Sequence, residues 1–347
     1  LRALRGGAEG FAVNGQQVNR ERRDASAART RGVIGAASAD AAGDFSRWGG
    51  FLNVAHTWGD RDPTSLENAF DFNGTELAAG VDYRFNQHFV LGAMLGYTKQ
   101  ALDFDASQSA TAGSIDADGL SAQVYASGEW DGPYLSASVG TQRLTQDTER
   151  VIRYQLSAPV TTVDITAKGS TDSSALTGFV AAGWSFQQRA WAYEPFLRYA
   201  YRNTDIDAFR ESSINNLTGA AAGLDLRYNE RSIDSSTAAV GFKVQYAWTP
   251  SFGVLVPYAQ AEYRREFADE ALQSQASFSV LDGAAGNPAA SLINWSGDQP
   301  DTSYYLATLG ASVVFKGGLQ AFLQVQSLQG FDYSNVALAT AGIRGEF

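Results

Sequence analysis

Residues 76–85 read Glu76-Leu77-Ala78-Ala79-Gly80-Val81-Asp82-Tyr83-Arg84-Phe85, and their side chains alternate in character. The odd-numbered residues are apolar or aromatic, whereas the even-numbered residues are small or charged. Successive side chains of a β-strand point to opposite faces, so this alternation predicts a strand with one apolar face and one small or charged face.

The same period of two recurs from residue 46 to residue 347. Twelve segments follow it, at residues 46–60, 71–85, 87–103, 115–131, 133–149, 171–187, 190–206, 231–248, 252–268, 302–316, 317–331 and 335–347. The composition agrees, because 35 Gly, 20 Phe, 15 Tyr and 7 Trp against a single Met favour β structure over a helix-rich core. The sequence therefore predicts an all-β fold of twelve strands.

The connections between these segments are of two kinds. Tight links fall at Asn86, Gly132, Gln188-Arg189, Pro250-Ser251 and Gly317-Gly318, whereas residues 157–170, 207–230 and 268–301 are long polar stretches. We expect short and long connections to alternate strictly, as they do in outer-membrane barrels with short periplasmic turns and long outer loops. An open sheet edge in lipid would leave backbone groups unpaired. Residues 46–347 are therefore predicted to form a closed, twelve-stranded antiparallel transmembrane β-barrel.

Aromatic residues mark both ends of the predicted strands. Those beside the short links or the first strand are Trp48, Phe85, Trp130, Trp191, Trp248 and Phe315, and those toward the long loops are Trp58, Tyr97, Tyr201 and Tyr263. Aromatic belts at the two membrane interfaces place residues in this way.

The small or charged face of each strand is predicted to face the lumen. Its charged residues are Glu76, Asp82, Arg84, Glu129, Glu194, Arg198, Arg202, Lys243, Glu262, Arg264, Arg344 and Glu346. Both signs occur, so the wall could hold a polar helix through paired charges, or the charges could only solvate a water-filled lumen. Neither alternative makes any of them catalytic.

Several classes of function are disfavoured by composition. Lys plus Arg is 26 and Asp plus Glu is 37, and the net charge of −11 argues against nucleic acid as a partner. The absence of cysteine excludes disulfides, thiolate metal sites and thiol catalysis. No phosphate-binding glycine loop or His-Glu-x-x-His motif is present, so neither cofactor nor metal is expected. Acidic residues of the outer loops could bind divalent cations weakly, although solvation is favoured: Asp60, Asp62, Asp207, Glu211, Asp269 and Glu270.

Only two histidines could serve a hydrolase. His88 follows the link at Asn86 on the predicted periplasmic side, where a surface hydrolase would not need it. His56 shares the parity of Val54 and Trp58, so it is predicted to face lipid near the outer interface. A barrel phospholipase could use such a histidine, but we identify no partnering serine, and an interfacial histidine is favoured.

Several stretches resemble the translocator domains of autotransporters. Residues 76–85 with Val90–Tyr97 resemble the second and third strands of that family, and Val256–Phe267 resembles its later Pro-Tyr strand. The terminal Ala341–Phe347 resembles its closing strand, with an aromatic residue at the carboxyl terminus. The resemblance covers about residues 46–347. One departure is Gly345, where the family usually has a large apolar or aromatic residue.

The resemblance implies a type V secretion barrel in the outer membrane of a Gram-negative bacterium, which helps an N-terminal passenger reach the surface and anchors it. Residues 1–45 would then hold the linker and a lumen-spanning helix, consistent with the polar, Arg-rich stretch 16–29, which could otherwise be a solvated linker. Phe347 would belong to the signal read by the barrel-assembly machinery. We expect a monomer in outer-membrane lipid that is not an enzyme. The alternatives are a porin and, behind it, an outer-membrane hydrolase.

Overall fold

A computed structural model describes residues 47–86, 88–281, 292–316 and 318–347. It contains twelve long strands: β1 Trp48–Arg61, β2 Phe70–Arg84, β3 Phe89–Phe104, β4 Thr111–Glu129, β5 Pro133–Ser157, β6 Val160–Trp184, β7 Trp191–Ile206, β8 Arg231–Tyr246, β9 Gly253–Glu266, β10 Ser303–Phe315, β11 Gln320–Gln329 and β12 Ser334–Glu346. A short strand, Phe186–Gln188, also pairs with β7. The predicted linker and lumen helix of residues 1–45 lie outside the described residues.

The twelve strands form a closed antiparallel barrel in which each strand pairs with its neighbours in sequence. Pairing of β1 with β12, from Gly49–Glu346 to Arg61–Ser334, closes the ring. Closure leaves no sheet edge facing lipid, so every strand within the ring has a hydrogen-bonding partner on each side. The all-β, twelve-stranded fold class predicted from the alternation is confirmed.

The barrel is apolar on the outside. Outward side chains such as Leu95, Leu197 and Leu309 are 63–68% exposed, while the side chains that alternate with the outward ones along each strand are buried or half-buried. The ten aromatic residues predicted to form two belts lie on this outer surface, each 38–55% exposed. An apolar exterior on a closed sheet is stable only in an apolar medium, which a bilayer supplies.

The expectation that short and long connections alternate strictly is wrong at two outer positions. Residues 157–170, expected to be a polar loop, lie in a hairpin, because β5 runs to Ser157 and β6 begins at Val160. The β11–β12 connection spans only residues 330–333. The polar hairpin carries Thr161, Thr162, Val163 and Ile165, β-branched residues that favour strand structure even outside the membrane.

The two longest outer loops form a second, four-stranded sheet. Its order is Leu292–Ser296, Gln273–Phe278, Leu226–Tyr228 and Phe209–Arg210, so it joins the β7–β8 loop to the β9–β10 loop. A further short strand, Ser212–Asn215, pairs with Ile165–Lys168 of β6. Within the described ranges, no helix has the length and apolar character needed to cross a bilayer.

Candidate functional site

The inner wall of the barrel carries the charged residues singled out from the sequence. Six of them are at most 5% exposed: Asp82, Glu194, Lys243, Glu262, Arg264 and Arg344. The other six, Glu76, Arg84, Glu129, Arg198, Arg202 and Glu346, are half-buried. Burial of a charged group is costly unless opposite charges and hydrogen bonds compensate for it, so their partners matter.

At the end of the barrel with the short connections, the predicted periplasmic end, Arg344 of β12 reaches Asp82 of β2. Arg344 Nη2 lies 2.6 Å from Asp82 Oδ1, and the Tyr125 hydroxyl donates a hydrogen bond of 2.9 Å to Asp82 Oδ2. The pair passes over β1 at Gly49, where an added Cβ would lie 2.2 Å from Arg344 Nη2. The ion pair thus joins the two neighbours of β1 across the strand at which the barrel closes.

Beside it, Arg84 Nη2 lies 3.1 Å from Oε1 of Glu346, the inward residue that follows Arg344 in β12. This second pair also joins β2 to β12. Two ion pairs therefore span the closing strand at the periplasmic end.

Near the middle of the wall, two arginines share the buried carboxylate of Glu262. Arg198 Nη1 lies 2.9 Å from Glu262 Oε1, and Arg264 Nε lies 3.0 Å from Glu262 Oε2. The Arg198 guanidinium also lies 5.4 Å from the ring centroids of Phe179 and Phe196, a distance typical of cation–π contacts. This arrangement fixes the cationic side chains against the wall.

Three of the other predicted residues have polar or aromatic partners on the wall. The Tyr134 hydroxyl donates to Glu194 Oε1 at 3.2 Å, and Arg202 Nη2 donates to Gln142 Oε1 at 2.8 Å. Lys243 Nζ lies 4.5 Å from the centre of the Tyr258 ring. The wall therefore presents charges of both signs that are held by polar and aromatic neighbours.

An apolar cluster that was not predicted from the sequence lies on the inner face toward the outer loops. Its buried members are Phe72, Leu102, Tyr304, Leu306, Leu328 and Val336, with Phe70, Phe104, Ile115 and Phe331 packed against it. The signal was present, because the inward residues of β2, β3 and β10–β12 become large and apolar toward these strand ends, after charged residues in β2 and β12 and mainly small or uncharged polar residues in β3, β10 and β11. The inner wall is thus charged at the periplasmic end and in the middle, and apolar on this side of the outer end.

The histidines are not arranged as a hydrolytic site. His56 is exposed, lies 2.9 Å from Thr75 Oγ1 through Nδ1 and stacks on Trp58 at 5.8 Å. His88 Nδ1 lies 2.7 Å from the Glu129 backbone oxygen. Across the part of the chain that the structure describes, no three His, Asp or Glu side chains group as metal ligands.

One acidic loop residue departs from the solvation expected of it. Glu211 is 4% exposed and forms an ion pair with Arg150, and the Tyr228 hydroxyl donates to its Oε1 at 3.3 Å. Burial raises the pKa of Tyr228 to about 12. The outer loops therefore contain a buried polar cluster.

Comparisons with known proteins agree with this architecture. The family profile described as Autotransporter beta-domain matches residues 50–326. The translocator domain of NalP from Neisseria meningitidis superimposes with a TM-score of 0.62 at 15% identity, covering 94% of this chain and 98% of that one. The beta domain of the Bordetella autotransporter BrkA gives 0.55 at 15% identity, covering 86% and 99%. The transport unit of AIDA-I from Escherichia coli gives 0.55 at 14%, covering 89% and 93%. No curated protein matches the sequence.

At these identities the structural likeness shows the fold, whereas the profile covers most of the chain and shows the family. Autotransporter β-domains are outer-membrane barrels of Gram-negative bacteria that carry a passenger, and they are not a known class of enzyme. The chain belongs to the autotransporter β-domain family, and its function is that of an outer-membrane translocator domain.

Proposed function

We propose that this barrel lies in the outer membrane of a Gram-negative bacterium, exports a passenger joined to its N-terminal side and then anchors that passenger at the cell surface. The observation that carries the proposal is the inner wall, where buried charges of both signs are fixed inside a barrel with an apolar exterior. Such a wall can bind a polar polypeptide, since each fixed charge can pair with a side chain of the opposite sign.

The polypeptide proposed to occupy the lumen is the linker of residues 1–45. Its Arg20, Arg22 and Arg23 would suit the carboxylates of the wall, and Asp24 would suit the arginines. In this proposal the twelve charged wall residues form the surface that holds the linker in place. None of them is assigned a catalytic role, and the domain needs neither a cofactor nor a metal.

Phe347 is proposed to be part of the signal for assembly of the barrel in the membrane. Its side chain is 75% exposed, and its backbone N–H donates to the Trp48 carbonyl at 3.1 Å. An exposed terminal aromatic ring at the seam between β1 and β12 is accessible to the barrel-assembly machinery. The remaining partners proposed are membrane lipid and the passenger, with the barrel acting as a monomer and binding no nucleic acid.

Surface display tests the export proposal. A small folded reporter with a protease site is fused before Leu1 behind a secretion signal, and protease is added to intact cells. We expect the reporter to be cleaved, and to be protected when residues 46–347 are removed. Export would be contradicted if the barrel assembles, as shown by its heat-modifiable mobility in a gel, while the reporter stays protected.

A further inference from the structure

The second sheet is firmly built although it consists of loop segments. The Tyr228 ring stacks on Phe209 at 4.6 Å and meets the edge of Trp295 at 6.1 Å, which links its strands across their faces. Ala276, in the central strand Gln273–Phe278, is fully buried. Aromatic packing of this kind stabilises beyond simple area burial, so the four strands are expected to move as one unit.

Three arginines of the barrel hold this sheet and the chain beside it. Arg61 Nη2 lies 2.6 Å from Asp298 Oδ2. Arg231 Nη1 donates to Ser274 Oγ at 3.1 Å. Arg150 Nε donates to Glu211 Oε1 at 3.0 Å. A guanidinium can make several directed hydrogen bonds at once, which suits it to fixing a loop in one orientation.

Each of these arginines shares the parity of the inward residues of its strand. Arg61 follows the parity of Asn53 and Ala55, Arg150 that of Gln146 and Ile152, and Arg231 that of Ile233 and Ser235, all of them buried. The three arginines therefore bind the loops from the inner side of the barrel rim. The loops are folded inward over the opening.

The three contacts are spread around the rim. They lie on β1, β5 and β8, which are separated by four, three and five steps around the closed ring of twelve strands. Ser274 belongs to the second sheet, and Glu211 and Asp298 adjoin it, so the single sheet that connects these three points extends over the opening between them. Beneath Arg61, the apolar cluster around Phe72 and Leu306 fills the wall on one side, and close-packed apolar side chains exclude water.

We propose that the second sheet, with the adjoining residues Glu211 and Asp298, is a lid that seals the outer mouth of the barrel against solutes. The lid is formed by Phe209–Glu211, Leu226–Tyr228, Gln273–Phe278 and Leu292–Asp298. It is latched by Arg61, Arg150 and Arg231. This sealing function goes beyond export of a passenger, which requires the lid to open.

The latches are buried, and this makes them sensitive to single substitutions. The side chains of Arg61 and Asp298 are 8% and 17% exposed, and those of Arg150 and Glu211 are 18% and 3% exposed. Removal of one partner leaves the other buried and unpaired, a state that the lid can escape by opening. The pair Arg153–Asp164 on the same hairpin is the matched control, because the Arg153 side chain is 69% exposed.

Thiol labelling tests the seal, because the chain has no cysteine of its own. Ser173→Cys places a thiol on the inner wall, where Ser173 is 6% exposed and lies two residues below Thr171, whose hydroxyl donates to the Asp207 carbonyl. A maleimide on a polymer too large to cross the outer membrane is added to intact cells. We expect slow labelling with the latches intact. Arg61→Ala, Arg150→Ala and Arg231→Ala together should raise the rate by about tenfold or more, because labelling follows the population of the open lid.

Two further variants keep the test independent of barrel folding. Asp298→Ala removes a latch from the loop side and leaves every barrel strand unchanged, so it should also accelerate labelling, whereas Arg153→Ala should not. Val160→Cys, at a position that is 73% exposed on the hairpin tip, reports that the barrel is assembled and reachable. If Ser173→Cys is labelled as fast as Val160→Cys with all latches present, or if no latch variant changes the rate in assembled barrels, the seal is refuted.

Discussion

The ion pair between Asp82 and Arg344 is predicted to be a principal stabiliser of barrel closure. Each side chain is at most 2% exposed, and they share hydrogen bonds of 2.5 and 2.6 Å. Asp82→Ala would leave the Arg344 guanidinium buried beside Gly49 without that carboxylate. Removal of one partner from a buried pair costs about 3–5 kcal/mol, and we expect a loss of unfolding free energy in that range.

The structure also predicts the size of the neighbouring effects. Tyr125→Phe removes one hydrogen bond to the carboxylate, and about 1.5–3 kcal/mol is expected for a bond to a charged group. Asp82→Ala combined with Arg344→Met removes both charges, so the double variant should be more stable than Asp82→Ala alone. Arg153→Ala, in the exposed pair, should cause no measurable loss.

Urea unfolding of the refolded barrel in detergent, followed by tryptophan fluorescence, measures these differences. A double-mutant cycle over Asp82 and Arg344 isolates their coupling from the effect of each truncation. A principal role for this ion pair would be ruled out if Asp82→Ala lowered the unfolding free energy no more than Arg153→Ala does, or if the coupling energy were zero.

Three further outcomes are expected. Gly49→Val should lower the unfolding free energy by about 1–3 kcal/mol through overpacking, because a Cβ at residue 49 would lie 2.2 Å from Arg344 Nη2. Gly345→Ala should be tolerated in the same urea titration, because no atom lies within 4 Å of the added Cβ. Phe347→Ala should reduce the assembled fraction in cells, scored by heat-modifiable mobility, without changing the unfolding free energy of refolded protein; normal assembly would argue against the proposed signal. Tyr228 should ionise near pH 12, not near the usual value of about 10, when the ultraviolet absorbance of tyrosinate is compared with that of Tyr228→Phe. The folded loop sheet holds the Tyr228 proton more tightly than the unfolded chain does. The contribution of this proton to the stability of the sheet is therefore constant below pH about 10 and is lost as the pH rises toward 12. Ionisation near pH 10 would show that the phenol is not buried.

The strands were predictable because the two faces of a barrel wall meet different media. In Glu76–Phe85 the outward residues contact lipid and the inward residues do not, so the alternation appears directly in the sequence. Beyond the membrane this contrast weakens. Most of residues 157–170 are polar or small, and the alternation is confined to Val163, Ile165 and Ala167 against Asp164, Thr166 and Lys168, which is too short to distinguish this hairpin from a polar loop.

The charged wall was predictable as a set of residue types but not as a set of pairs. Parity predicts that Arg198 and Glu262 face inward, but it gives no contact between residues 64 positions apart, because that contact depends on the register of β7, β8 and β9. The pairing of Arg150 with Glu211 was missed for a similar reason. It depends on a loop folding back over the barrel, and local sequence does not encode such a return.

Cross-linking inside the lumen shows whether the linker passes through the barrel, as the proposed export requires. Ala27→Cys in the linker is combined with Ser138→Cys, on the inner wall and 9% exposed, or with its neighbour Val139→Cys, on the outer face and 56% exposed. A short bifunctional thiol reagent is then added to cells that display the reporter. We expect a cross-link to Ser138→Cys and none to Val139→Cys. Equal cross-linking of the two, or no cross-link to Ser138→Cys or to a cysteine at any other inward position of β5, would contradict passage through the lumen.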